Sequence, residues 1–273
     1  MPDTDDARPP QAKAPATQFF GAEAFAPTDH TELRWLGMAG WLMNSRGTTL
    51  MLDALLGGFD MPVMIDFPIR PEQVPHLDAF LATHSDADHY SVWTAERVAD
   101  VTASYHGTRH VGSLMTDAGL PAQGHDVGDT FSVGDLRVTL TPADHAWQNE
   151  FPGRYDRVFA PEDCCGFWIE TPDGNLWAPG DSRLIREHHL TMPAPDALLF
   201  DFSDSSFHFT LAGAVEMANA YPDVPLLLHH WGSVDAPTWS PFNGDPASLQ
   251  GRVVNEDRIQ VLAPGEPFRL TRR

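Results

Sequence analysis

Thr83-His84-Ser85-Asp86-Ala87-Asp88-His89 packs four potential metal ligands, His84, Asp86, Asp88 and His89, into six positions behind the apolar run Leu77-Asp78-Ala79-Phe80-Leu81-Ala82. A short apolar run that stops abruptly at polar residues reads as a buried strand, and the polar residues beyond it as a loop. A loop at a strand end can aim several side chains at one point. Ser91 then stands where a helix N-cap belongs, ahead of the helical stretch to Asp100, so the local order is strand, ligand-rich loop, helix. Imidazole together with carboxylate suits zinc, manganese or iron, whereas calcium and magnesium favour oxygen ligands alone. The competing reading of this stretch by itself is a solvated acidic loop that holds two histidines.

Three other segments weigh against that reading, because each is an apolar run ending in a residue of ligand type. Residues 138–145 (VTLTPADH) reach His145, 175–181 (NLWAPGD) reach Asp181, and 225–232 (PLLLHHWG) reach His229 and His230. Any one alone is as easily a turn residue or a packed histidine. The recurrence at four strand ends points to one shared site. Adjacent strand residues face opposite ways, so only one of His229 and His230 belongs to it.

Working outward, 33–36 (LRWL), 40–45 (GWLMNS) and 48–54 (TTLMLDA) predict an opening antiparallel meander, with a turn at Ser45-Arg46-Gly47. Further on, 101–107, 131–134, 136–145, 164–170, 175–181, 196–203 and 224–232 predict strands, and 108–119 and 210–221 predict helices. Strands and helices mixed along one length of chain indicate an α/β layered architecture. Residues 1–18, rich in Pro, Ala and Asp, read as a flexible N-terminal tail. Residues 19–273 read as a single domain, with no repeat or linker to divide them.

Composition narrows the partners. With 38 acidic against 17 basic residues and a formal charge of −21, the chain would be repelled by a phosphate backbone, so no nucleic acid is expected. No basic start followed by an apolar run suggests a secretory leader, and no run approaches the roughly 18 apolar residues of a membrane span. The two cysteines, Cys164 and Cys165, are neighbours, a placement that disfavours an ordinary disulfide and fits a reducing cytoplasm. The expected partner is a small-molecule substrate, and a homo-oligomer is left open.

Taken together, His84-Ser85-Asp86-Ala87-Asp88-His89, His145, Gly180-Asp181 and His230-Trp231-Gly232 resemble the metallo-β-lactamase superfamily. Its hallmark is H-x-H-x-D-H followed by a His, a Gly-Asp pair and a final His. Within it the chain is most similar to the ascorbate-6-phosphate lactonase-like branch of metal-dependent hydrolases, through LRWLGMAGWLM, TTLMLDA, TPADH, APGDSR, FHFTLAGAVEMA and LLLHHWG, from about residue 33 to residue 265. The resemblance implies a four-layer αββα sandwich and a cofactor of two divalent metal ions, zinc, manganese or iron. His84, Asp86 and His145 would hold the first ion and Asp88, His89 and His230 the second, with Asp181 bridging them. His230 is chosen over His229 because it stands directly before an aromatic and a glycine. Asp88 and His208 would be catalytic, His208 as proton donor or oxyanion contact, and Asp53 would orient ligands. A buried structural histidine is the competing reading of His208.

The implied activity is hydrolysis of a lactone, amide, thioester or phosphoester by a hydroxide shared between the two metals, with no side-chain nucleophile. Two departures from the pattern bear on this. Asp86 replaces the usual second histidine, which shifts preference toward manganese or iron and is similar to the glutamate of the flavodiiron branch. A non-haem di-iron oxygenase or oxidoreductase is therefore an alternative, a first site left empty because Asp86 is too short is another, and a catalytically inactive binding protein a third. Met38 stands where many relatives have histidine. Between two ligands, residues 147–163 form a candidate active-site loop. Trp147, Arg154, Tyr155 and Arg157 are its candidate substrate-binding residues, solvated arginines being the competing reading.

Overall fold

In β2 (Gly40–Ser45), Trp41 and Met43 enter one apolar cluster and Leu42 another; β3 (Thr48–Leu52) divides Leu50 and Leu52 from Met51, and β4 (Ala79–Leu81) divides Ala79 and Leu81 from Phe80. Strands apolar on both faces must be covered on both. The computed structural model describes residues 9–273 and shows what covers them.

The first sheet adds β1 (Thr31–Gly37), β5 (Tyr105–Thr108), β6 (Ala122–His125) and, from the far end of the chain, β14 (Pro267–Leu270). Its order is β14-β1-β2-β3-β4-β5-β6, antiparallel as far as β3 and parallel beyond. The second contains β7 (Thr130–Val133), β8 (Leu136–Pro142), β9 (Cys165–Thr171), β10 (Gly174–Ala178), β11 (Ala197–Asp201), β12 (Leu226–His229) and β13 (Ile259–Gln260). It runs β13-β12-β11-β10-β9-β8-β7, antiparallel from β7 to β10 and parallel from there to β13. Trp35, Trp41, Met43 and Leu81 of one sheet share a core with Val138, Leu140, Phe167 and Ile169 of the other.

Helices complete the outer layers. Ala95 of α1 (Val92–Arg97) and Val111 and Met115 of α2 (Arg109–Asp117) pack with Met51, Phe80 and Tyr105 on the outer face of the first sheet. Ala214, Met217 and Ala218 of α4 (Thr210–Ala220) join the cluster of the second sheet, near the short α3 (Arg186–His189). The result is the expected four-layer αββα sandwich. Ser91 caps α1 as predicted, its Oγ accepting from Thr94 N at 3.1 Å, a contact worth about 1 kcal/mol. Arg46 and Gly47 form the predicted turn with φ of 55° and 103°, the geometry two-residue hairpins favour. No helix among the described residues is long and apolar enough to cross a membrane.

Part of the N-terminal segment is hydrogen-bonded to the rest of the fold. Residues 1–8 lie outside the described residues, but the Gln11 amide donates to Val234 O at 2.7 Å and accepts from Ala236 N, and Ala14 N and Gln18 N donate to Gly232 O and Pro264 O. The segment has neither helix nor strand, yet backbone and side-chain hydrogen bonds fasten it to the loops after β12 and β13. β6 and β14 go beyond the strands the sequence predicts because AQGH and PFRL lack an apolar run; both are sheet edges, where polar and proline-containing strands are expected.

Candidate metal centre

Where the two sheets present their strand ends, short connections turn ligand-type side chains inward. β4 leads to His84, β8 to His145, β10 through Pro179-Gly180 to Asp181, β11 ends at Asp201, and β12 delivers His230. Gly180 has φ of 70°, and a Cβ there would lie 2.5 Å from the Cys165 carbonyl oxygen, so only glycine allows this approach. Met38, Asp53 and His230 also have positive φ, of 48°, 47° and 64°. Such backbone costs of order 1–3 kcal/mol per residue and gathers at functional sites.

Five imidazoles are held from behind at Nδ1. His84 meets Thr83 Oγ1 at 3.0 Å, His89 meets Asp53 at 2.9 Å, His145 meets the Phe207 carbonyl at 2.9 Å, His230 meets the Pro241 carbonyl at 2.7 Å, and His208 meets Asp201. Thr83 Oγ1 donates to Asp53 and so accepts from His84. Every Nε2 is thereby left for the centre. Asp181 Oδ2 lies 3.1 Å from that of His89, 3.4 Å from His230, 3.6 Å from His208 and 3.8 Å from His145. Asp86 Oδ2 lies 3.3 Å from His84 and 3.4 Å from His145, and Asp88 Oδ2 3.2 Å from His230 and 3.6 Å from His89.

The structure thus brings together all seven residues the sequence nominates as ligands, in the expected groups His84–Asp86–His145 and Asp88–His89–His230. Asp86 is long enough to reach its neighbours. Among the seven nominated ligands two buried atoms, His84 Nε2 and Asp181 Oδ1, have no hydrogen-bond partner, a cost of about 1–3 kcal/mol each. A cation among these donors would satisfy both, so the residues present fit a metal site.

Electrostatics point the same way. Burial pushes the Asp181 carboxyl up, but His230, His89 and His208 outweigh it and hold the group well below the usual carboxylate range. Asp86 is likewise lowered by His84 and His145 against its burial. Burial pulls His89 and His230 down, but Asp181 and the other carboxylates carry His89 well above its ordinary value and His230 up to about 10. The centre is rich in anions and calls for positive charge. His229 faces elsewhere, as alternation requires: its ring meets the edge of Trp41, and burial pulls it down to about 4.

Asp53 receives the Thr83 N–H at 2.7 Å as well as His89, so it orients the ligand loop. Met38 contributes through its backbone: its carbonyl accepts from His230 N at 2.8 Å and from Trp35 Nε1 at 3.0 Å, support that does not depend on the side chain.

The four candidate substrate-binding residues all have partners within the protein. The Trp147 indole N–H does not face open space; it donates to Asp86 Oδ2 at 2.7 Å, and Gln148 Nε2 donates to Asp86 Oδ1 at 2.8 Å. Arg157 is paired with Asp163 and touches His110, which commits its charge within the loop's own surroundings. Arg154 lies over the rings of Phe151 and Tyr155, and Tyr155 packs edge-on against Trp147 at 5.8 Å. Asp201 and Gln148 join the site without being nominated by the sequence. Asp201 ends an apolar strand by the same rule that singles out Asp181, whereas Gln148 carries no sequence signal.

Two face-to-face mixed sheets with a His/Asp cluster at their strand ends define a metallo-β-lactamase-fold protein. Residues 48–231 match the β-lactamase superfamily domain model, and the chain belongs to that family. A UPF0173 metal-dependent hydrolase of Anaeromyxobacter sp. (strain K) is 26% identical over 258 residues, covering 90% of this chain and 89% of that one. Among solved structures, Igni18, a metallo hydrolase of Ignicoccus hospitalis, superposes with TM-score 0.67 at 18% identity, covering 88% of this chain and 97% of its own. An isothiocyanate hydrolase from Delia radicum gut bacteria superposes with TM-score 0.69 at 16% identity, covering 87% and 98%.

Proposed function

We propose that the protein is a metal-dependent hydrolase that cleaves a lactone, amide, thioester or phosphoester bond in a small molecule, with two divalent ions at the His/Asp cluster. The carrying observation is Asp181 Oδ2 surrounded by four imidazole Nε2 atoms at 3.1 to 3.8 Å. His84, Asp86 and His145 would hold one ion, Asp88, His89 and His230 the other, and Asp181 both. Ions so held supply an acidified water and an electrophile for the bond under attack.

The chain's own groups do the rest. Asp88, buried beside His230 and His89, is placed to take the proton of the attacking water. His208, fixed at Nδ1 by Asp201, turns Nε2 to the centre and hands a proton to the leaving group. Burial and then the Asp86 charge push the Cys164 thiol up to about 12, which disfavours a nucleophilic part for it. The sequence segments given above support a place beside the ascorbate-6-phosphate lactonase-like hydrolases.

A panel of lactones, amides, thioesters and phosphoesters tests the reading. Turnover of at least one, lost on chelation and restored by Zn, Mn or Fe, is expected. A di-iron oxygenase is the second reading, favoured by the Asp86 carboxylate; iron-dependent oxygen consumption without hydrolysis would put it first.

A further inference from the structure

Asp86 departs from the family motif, and the structure surrounds it with donors that suit only a carboxylate. Trp147 Nε1–H reaches Oδ2 at 2.7 Å and Gln148 Nε2 reaches Oδ1 at 2.8 Å, while Oδ2 also faces His84 and His145 at 3.3 and 3.4 Å. A histidine at this place has one free ring nitrogen and could not accept both donors and still bind a metal. Gln148 is buried, and its Oε1 has no partner. Turning the amide over would set that oxygen against the carboxylate, so Asp86 fixes which way Gln148 points.

We infer that Trp147 and Gln148 are positioning residues that hold the short Asp86 side chain toward the first metal position and tie that position to the root of the 147–163 loop. Trp147 is the hub of that loop, packing edge-on with Phe151, Tyr155 and Phe207. Asn149 closes it by pairing with both the N–H and the carbonyl of Phe159. An ion drawing on Asp86 therefore acts on the loop through two hydrogen bonds. The carboxylate compensates for its reach by being clamped, and the clamp belongs to the segment that flanks the site.

The inference rests on the cluster being a metal centre. Zn²⁺ titration of metal-free full-length protein, followed by calorimetry and tryptophan emission, separates the two ideas. Wild type is expected to bind in two steps, one accompanied by an emission change that Trp147→Phe removes. Trp147→Phe and Gln148→Met should each weaken that step about 10- to 100-fold, the range for outer contacts to metal ligands, and leave the other step unchanged. The retained step also reports that the variant is folded. In an Asp86→Ala background, Gln148→Met should bring no further loss. Unchanged binding in both single variants, or a further loss on adding Gln148→Met to Asp86→Ala, would overturn the inference while sparing the proposed function. A wild type that binds none of Zn²⁺, Mn²⁺ and Fe²⁺ would overturn both.

Discussion

His230 and His106 are both buried imidazoles, 2% and 4% exposed, and burial pulls the proton affinity of each down. At His230 the carboxylates of Asp181 and Asp88 reverse the effect and carry it to about 10; at His106 nothing does, and it falls to about 4. His106 bonds to His125 and Ser104, each at 3.0 Å, and both rings stack on Phe131 of the opposite sheet at 4.2 and 4.4 Å. It belongs to a neutral aromatic plug where the edges of the two sheets meet. Buried histidines do not by themselves make a metal centre; buried carboxylates that raise their basicity do.

The sharpest way to break this contrast is to remove the shared carboxylate. Asp181→Ala should take bound metal from about two equivalents to near none and abolish turnover, while His106→Phe leaves metal content unchanged, both read by elemental analysis. Next comes acid. His106 has a folded value below its unfolded one, so the unfolded chain binds the extra proton and stability falls as pH drops from about 6.5 toward 4. The loss is on the order of 3 kcal/mol. It should shrink in His106→Gln, as measured by urea unfolding of the two proteins at either end of that range. His230 acts in the opposite window: in metal-free protein its contribution is complete below about 6.5 and disappears as pH rises through about 10. The smallest effect is expected behind the ligands. Asp53→Asn should weaken binding at the second position by about 10- to 100-fold without emptying the first, as separate steps in a Zn²⁺ titration would show.

Much of this arrangement is legible in the sequence because one physical rule exposes it. An apolar strand that stops at His or Asp leaves a mark, and such stops pick out His84, His145, Asp181 and His230. The same rule reaches Asp201, which ends β11, but without a glycine or aromatic pattern to match, nothing sets it apart. Alternation of Trp41, Leu42 and Met43 implies a sheet covered on both faces. Contact across sequence distance is not legible: Gln148 on Asp86, the carbonyls of Phe207 and Pro241 behind two histidines, and the Gln11–Gln18 segment fastened to the loops after β12 and β13. Carbonyls are present at every position, so their use depends on the fold alone. β6 and β14 escape because edge strands are paired by backbone and need no apolar run.

The central claim is that the His and Asp side chains gathered at the strand ends form a two-ion centre, and metal content per chain tests it most directly. The protein is purified in full without chelators or a histidine tag and assayed by plasma mass spectrometry before and after exposure to Zn, Mn or Fe. The account predicts about two equivalents of a divalent ion per chain. Folded protein that holds no ion under any of these conditions would contradict it.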